Sequence, residues 1–86
     1  MVTRTVKVLR ATGLQVKAAG AICDEAVRYS SHIIFRNSKA YEGNLKSMLS
    51  ILGAGVKASE EITVVCSGPD EQEALENICA IIEGVD

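Results

Sequence analysis

The chain has 86 residues, a hydrophobic fraction of 48%, a charged fraction of 23% and a formal net charge of −2. This length predicts a single domain over residues 1–86, which would bury about 60–65% of the surface that the unfolded chain exposes. The composition is typical of a globular protein and excludes disordered and collagen-like chains. The slight acidic excess argues against a nucleic-acid partner.

The apolar runs and the cysteines indicate the cellular compartment of the protein. Runs such as residues 64–66 are far too short to cross a membrane, and the first residues lack the apolar segment of a signal peptide. We therefore expect a cytoplasmic protein with no membrane partner. Cys23, Cys66 and Cys79 are odd in number and widely spaced. This spacing predicts reduced, buried thiols rather than a disulfide framework.

The first half of the chain predicts a strand, a helix and a second strand. Residues 2–9 alternate between Val and polar residues, as a strand does. From Val16 onward the apolar residues recur at helical spacing. The predicted buried stripe consists of Ala19, Ile22, Cys23, Ala26 and Val27. Gly20 lies within this helix. It indicates either close packing against a neighbouring element or a loss of helix stability of up to about 1 kcal/mol relative to alanine. Residues 29–31 end the helix, and the β-branched run 32–36 predicts the second strand.

The second half predicts a short return strand over residues 40–42 after a turn at 37–38. Ser47 is placed to cap a short helix over 48–52, which Gly53 and Gly55 would end. Residues 61–67 alternate as a fourth strand. Asp70 and Glu73 have the spacing of a capping box at the start of a helix over 71–83. The predicted buried face of this helix consists of Ala74, Leu75, Ile78, Cys79 and Ile82.

The order β-α-β-β-α-β-α predicts an α+β fold. A four-stranded antiparallel sheet would carry the three helices on one face, because each helix has one apolar stripe. The chain contains none of the nucleotide-binding, metalloprotease or serine-hydrolase motifs that mark catalytic sites. His32 is the only histidine and has no nearby cysteine. We therefore expect no enzyme activity, no metal and no cofactor.

Two segments remain as candidates for function. Residues 13–19 lie where the chain passes from the first strand to the first helix. Free backbone N–H groups at the start of that helix, beside Lys17, could bind an anion. A plain connecting loop also explains the segment. In residues 44–49, Ser47 precedes Met48 and Leu49. This arrangement fits a phosphorylatable cap beside an apolar patch, or simply a cap followed by core residues.

These segments, taken together with residues 68–75, resemble the HPr family, the small phosphocarriers of the bacterial sugar phosphotransferase system. Gly13-Leu14 and the following Ala19 resemble the phosphorylation-site loop, Gly-Leu-His-x-Arg-Pro-Ala, and residues 44–47 resemble the regulatory-serine segment of Gram-positive members. Residues 68–75 resemble the opening of the last helix, Gly-x-Asp-Glu-x-x-Ala-Leu. The resemblance implies an open-faced β-sandwich with strands one and four adjacent at the centre of the sheet.

The chain departs from this family at the phosphorylation site. The resemblance places Gln15 at the phosphoryl-accepting histidine, Lys17 at the arginine and Ala18 at the proline. An amide nitrogen has no free lone pair to attack phosphorus, so carrier function is not expected at Gln15. The HPr-like catabolite-repression proteins, Crh, also carry a glutamine there, although they keep the arginine and the proline.

The resemblance therefore implies a non-catalytic regulatory protein that an HPr-kinase-like enzyme phosphorylates at Ser47. A transcription regulator or another phosphotransferase-system protein would then bind it. The residues expected to contact the phosphate or the partner are Lys17, Lys46, Met48, Leu49 and Leu52. The resemblance also implies a monomer or a dimer that exchanges strands through residues 9–14. Three alternatives stay open: a divergent carrier that uses His32, an inactive paralogue, and a ferredoxin-like domain that binds a small ligand.

Overall fold

The computed structural model describes residues 1–84. Its elements are β1 (Val2–Lys7), α1 (Val16–Ala26), β2 (His32–Arg36), β3 (Glu42–Asn44), α2 (Met48–Gly53), β4 (Glu61–Ser67) and α3 (Glu71–Glu83). The strands form one antiparallel sheet in the order β1-β4-β2-β3. The predicted α+β class, with a four-stranded antiparallel sheet and three helices, is confirmed.

The core lies between the sheet and the helices. Alternate strand residues point toward the helices, as Val6 does between the exposed Thr5 and Lys7. The buried helix residues are Ala18, Ala19, Ile22 and Ala26 of α1, Ile51 of α2, and Ala74, Leu75, Ile78, Cys79 and Ile82 of α3. The buried face predicted for the last helix is confirmed, and the other face of the sheet is left open.

The buried face of α1 differs from the predicted stripe at Val27 and Cys23. Val27 lies just beyond the helix end and is 57% exposed, and Cys23 is only half-buried. Gly20 does not mark a close contact, because a Cβ added there would meet no atom within 4 Å. Gly20 therefore lowers the helix propensity of α1, and no closer packing compensates for it.

The order of the strands corrects one expectation. β1 does pair with β4, from Val2 opposite Cys66 to Lys7 opposite Glu61. However, β1 is an edge strand, and the two central strands are β4 and β2. The burial pattern agrees with this placement, since three consecutive residues of β4, from Val64 to Cys66, are buried, whereas Val6 is the one buried residue of β1.

Two strand boundaries also differ from the prediction. β1 ends at Lys7 rather than at residue 9. The return strand covers Glu42–Asn44 rather than residues 40–42. The turn before it is longer than expected, because the Asn37 side chain accepts hydrogen bonds from the backbone N–H groups of Lys39 and Tyr41 (2.9 and 3.0 Å) and holds Ala40 at φ 64°.

The predicted capping box at the start of α3 is wrong. Asp70 occupies the cap position, but its side chain does not bond to the first turn of α3. It accepts hydrogen bonds from the backbone N–H groups of Ser30 and Ser31, 3.0 Å each, and from the Ser31 hydroxyl at 2.5 Å. The Glu71 carboxylate accepts from the Gly68 N–H instead (3.1 Å). Asp70 therefore joins the β4–α3 connection to the α1–β2 connection.

All three cysteines carry free thiols. Cys66 and Cys79 are fully buried, as predicted, and burial raises the pKa of Cys66 to about 11 and also raises the pKa of Cys79. Cys23 is only half-buried, because it lies at the rim where α1 meets the segment before α2.

In residues 1–84, no helix has the length and apolar character needed to span a membrane.

Candidate functional site

The loop before α1 is shaped by a close backbone approach. Gly13 adopts φ 69°, and a Cβ added there would lie 2.5 Å from the Val56 carbonyl oxygen. The next residue, Leu14, is buried and donates its N–H to the same oxygen (3.0 Å). Only glycine tolerates both the positive φ and the contact. The loop therefore packs closely against residues 56–57, and residues 15–17, which follow Leu14, are exposed to solvent.

Gln15 stands at the start of α1 with its side chain exposed. Its backbone is extended, its carbonyl accepts from the Ala19 N–H (2.8 Å), and its side chain makes no cap hydrogen bond. Val16 is 67% exposed, and Lys17 is exposed in the first turn. The helix start thus presents an amide, an apolar side chain and a cation to solvent.

A cleft of about 700 Å³ opens beside this helix start. It is lined by Ala11, Thr12 and residues 14–16 on one side, and by Leu52 and residues 55–58 on the other. Among these described lining residues, Lys57 is the one charged side chain. Val16 and Leu52 give the cleft an apolar rim, which makes it suited to an apolar group with a negative charge nearby.

Ser47 caps α2, as predicted. Its backbone is extended, and its half-buried hydroxyl oxygen accepts a hydrogen bond from the Ser50 N–H (3.3 Å). Its carbonyl accepts from the Ile51 N–H (3.1 Å). The hydroxyl oxygen therefore lies at the positive end of a short helix, where an anion is favoured.

The neighbouring Lys46 is engaged elsewhere. Its ammonium group donates to the Tyr29 carbonyl just beyond α1 (2.6 Å), and its own carbonyl accepts from the Cys23 thiol (3.4 Å). Both contacts tie the Ser47 segment to α1. Lys46 thus anchors this segment, and its ammonium group would have to leave Tyr29 to reach a phosphate on Ser47.

The three apolar residues predicted as a partner surface are exposed to different degrees. Leu49 is 83% exposed and Leu52 is 37% exposed, whereas Met48 packs partly against the core. Val16, which sequence reasoning did not single out, joins Leu52 at the rim of the cleft. The exposed apolar patch thus consists of Val16, Leu49 and Leu52. Val16 lies three residues before Ala19, so helical spacing places it near the buried stripe, and no sequence signal marked its exposure.

His32 lies away from these residues. It is exposed at the start of β2 and pairs with Ser67 of β4. Its neighbour Ile33 points into the core, so the alternation of the strand puts His32 on the open face of the sheet. Within residues 1–84, no three His, Cys, Asp or Glu side chains cluster as metal ligands would.

Comparisons with known proteins agree on one family. A family model described as "PTS HPr component phosphorylation site" matches residues 2–84. The HPr-like protein Crh of Bacillus subtilis is 35% identical over 83 residues, covering 96% of each chain. The phosphocarrier protein HPr of Mycoplasma pneumoniae is 34% identical over 71 residues, covering 83% of this chain and 81% of that protein.

Solved structures give the same result. The crystal structure of HPr from Bacillus anthracis superposes with a TM-score of 0.90 at 30% identity, covering 94% of this chain and 95% of that one. A crystal structure of Bacillus subtilis Crh, described as a dimer with a swapping domain, has a TM-score of 0.76 at 33% identity and covers 100% of both chains. The sheet and the three helices are therefore those of one family, and the chain belongs to the HPr family.

Proposed function

We propose that this chain is an HPr-like regulatory protein of the phosphotransferase and catabolite system, and that it acts by binding other proteins. The observation that carries the proposal is the exposed Gln15 at the start of α1, beside the apolar patch. An amide cannot accept a phosphoryl group as an imidazole does. The apolar patch of Val16, Leu49 and Leu52 beside it supports binding to another protein.

Ser47 is the proposed control point. Its hydroxyl is half-buried at the start of α2, and the most exposed large side chain of that helix, Leu49, follows two residues later. A phosphate on Ser47 would add about −1.5 to −2 charges at this edge of the patch. An HPr-kinase-like enzyme would supply the phosphoryl group.

The proposed partner is a transcription regulator or another phosphotransferase-system protein. It would place an apolar side chain in the cleft, against Val16 and Leu52, and would cover Leu49. Exposed Lys17 and Lys57 would meet acidic groups of the partner or, in its phosphorylated state, the phosphate. Buried apolar contacts would give affinity, and the charges would set the binding orientation.

The test is phosphorylation by HPr kinase from a related bacterium. The wild type should incorporate phosphate, and Ser47→Ala should not. Ser50→Ala is the matched control, because it removes a second serine from the same helix and should be labelled like the wild type. Equal labelling of Ser47→Ala, or no labelling of the wild type at high kinase concentration, would leave the chain better described as an inactive paralogue.

We also propose a monomer or a strand-exchanged dimer as the assembled form. The swapped dimer of Crh supports the second state, because that protein is similar to this chain over its whole length. The edge position of β1 supports the same possibility, since an edge strand has one neighbouring strand to leave.

A further inference from the structure

The outer edge of β1 carries backbone groups that no strand within residues 1–84 pairs. In the described sheet β1 has one neighbour, β4. Just after β1 the Val8 N–H donates to the Glu60 carbonyl (2.9 Å). The alternation of an antiparallel ladder therefore directs the backbone groups of the even-numbered residues of β1 toward β4. The N–H and carbonyl groups that point away from β4 are those of Thr3, Thr5 and Lys7.

The charged side chains along this edge are all positive. Arg4 and Lys7 are exposed, and Val2–Lys7 contains no acidic residue. Arg4 lies opposite Val64, so the neighbouring strand offers it no carboxylate at that position. Lys7 lies opposite Glu61, but an ammonium group has three donors and can bond a second carboxylate. The edge therefore combines unpaired backbone groups with a surplus of positive charge.

The two cations of β1 stand on different faces of the sheet. Successive side chains of a strand alternate between faces, so Arg4 shares the helix side with buried Val6. Lys7 shares the open side with Thr5 by the same alternation. A strand added to β1 would meet Arg4 and Lys7 at two positions that are three residues apart and on opposite faces. Two acidic residues with two residues between them match this spacing in either chain direction.

Edge pairing of β1 with β1 of a second copy is opposed by charge. Antiparallel pairing centred on Arg4 sets the two Arg4 side chains opposite each other. Pairing centred on Thr5 avoids that contact, but it still brings together two cations from each copy and no carboxylate. Cations on an edge strand are a common defence against such self-association. An acidic strand meets no such repulsion, so the charges of β1 favour a different protein as the occupant.

We infer that the outer edge of β1 is a docking site for an extended acidic segment of a partner protein, which adds to the sheet as a fifth strand. The segment bonds the outward backbone groups of β1, and these bonds give affinity. The sequence Glu-x-x-Glu, with β-branched residues at x, sets one carboxylate against Arg4 and the other against Lys7. This site goes beyond the proposed function, because β1 shares no residue with the cleft and the inference does not depend on Ser47.

The probe is the peptide acetyl-Val-Glu-Val-Thr-Glu-Val-amide, titrated into the isotope-labelled protein and followed by nuclear magnetic resonance. The amide signals of Thr3, Thr5 and Lys7 should shift together and saturate, and their hydrogen exchange should slow. A peptide with lysine in place of both glutamates should bind at least about tenfold more weakly, because two attractions become repulsions. A peptide with the spacing Glu-x-Glu should also bind more weakly, since both carboxylates then lie on one face and reach one cation.

The variant that tests the backbone pairing is Thr5→Pro. It removes an outward N–H and sets a ring against the added strand, whereas the pairing of β1 with β4 does not use that N–H. Thr5→Pro should bind the acidic peptide at least about fivefold more weakly than the wild type. Thr5→Ala is the matched control. It also loses the hydroxyl that lies 2.9 Å from the Thr63 hydroxyl, but it keeps the N–H and should bind like the wild type. Thr3→Pro serves if Thr5→Pro does not fold.

The charge variant Arg4→Gln with Lys7→Gln should bind the two peptides with nearly equal affinity. The inference would be overturned if millimolar acidic peptide shifted no amide of β1, or if folded Thr5→Pro bound it as tightly as Thr5→Ala. Equal affinity of the wild type for the acidic and the lysine peptide would also overturn it, and so would shifts confined to the cleft. Ser47→Ala should bind the acidic peptide like the wild type, so a failure here is separate from a failure of the proposed control at Ser47.

Discussion

In the proposed function, position 15 decides whether this chain can carry phosphate. An exposed amide stands there, with Lys17 and Ala18 close behind it in the first turn of α1. We expect no transfer from phosphoenolpyruvate through the first enzyme of the phosphotransferase system, because the amide nitrogen has no free lone pair. The measurement is incorporation of labelled phosphate, with HPr from a Bacillus species as the positive control.

Gln15→His by itself should recover little of this transfer, because two further positions of the loop differ from the family pattern. Lys17 keeps a positive charge but lacks the planar fork of arginine, and Ala18 does not fix the backbone as proline does. Acid-labile label on the wild type at His32 would contradict the proposal, and it would show that an imidazole on the open sheet face takes over the role of carrier.

The three thiols should divide into one that reacts early and two that react late. Cys23 is half-buried, whereas Cys66 and Cys79 are fully buried and burial raises the pKa of both. Because the thiolate is the nucleophile, a raised pKa slows its reaction. In the native protein a thiol-specific dye should label Cys23 first, and denaturant should release the other two. Equally fast native labelling of all three would contradict the buried positions.

Among the helices, α1 contains an internal glycine with no packing role. A Cβ at Gly20 meets no atom within 4 Å. Gly20→Ala should therefore stabilise the protein by about 0.5–1 kcal/mol, because alanine restricts the unfolded chain and favours the helix. Thermal or urea denaturation measures this gain, and a domain of this size shifts its midpoint by about 4–8 °C per kcal/mol.

Gly13→Ala provides the comparison for Gly20→Ala in the same assay. It places a Cβ at positive φ and 2.5 Å from the Val56 carbonyl oxygen. At low protein concentration, where the monomer is measured, Gly13→Ala should lower the midpoint of unfolding. If the two alanines changed stability in the same direction, backbone conformation would not explain either effect.

Local patterns predicted the elements whose signal lies within a few neighbouring residues. The face of α3 and the cap at Ser47 follow from spacing alone. The patterns failed where a side chain finds its partner far along the chain. Asp70 has the sequence position of a cap, but its carboxylate bonds Ser31, 39 residues away. The Arg10 guanidinium likewise donates to the Ile81 carbonyl, 71 residues away.

At the scale of the whole molecule, the sheet separates two surfaces. The helix side carries the cleft, Ser47 and the patch of Val16, Leu49 and Leu52, whereas the open sheet side carries His32. The two candidate segments could be selected from the sequence because each of them is continuous, and the structure places both on the helix side. The position of β1 at the edge was not predictable in this way, because the order of the strands depends on pairings between residues far apart in the sequence.

Asp70 joins two connections of the fold, and its contribution to stability should depend on pH. Its pKa is lowered below the ordinary 3.8, first by the hydrogen bond from the Ser31 hydroxyl and then by backbone N–H groups. A carboxyl whose pKa is lowered by folding stabilises the native state above the unfolded-state pKa. That contribution is lost as the pH falls through the folded-state pKa, so the wild type should become less stable below about pH 4.

The variant that tests this dependence is Asp70→Asn. At neutral pH it should unfold at a lower temperature than the wild type, because an amide accepts these hydrogen bonds less strongly than a carboxylate. The gap should close as the pH falls through the lowered pKa of the folded Asp70, where the wild-type group becomes protonated. Asp24→Asn, which changes an exposed carboxylate of α1, is the control and should follow the wild type. Thermal melts monitored by circular dichroism between pH 7 and pH 3 measure the gap, and a gap of constant size would show that the Asp70 carboxylate does not link folding to protonation.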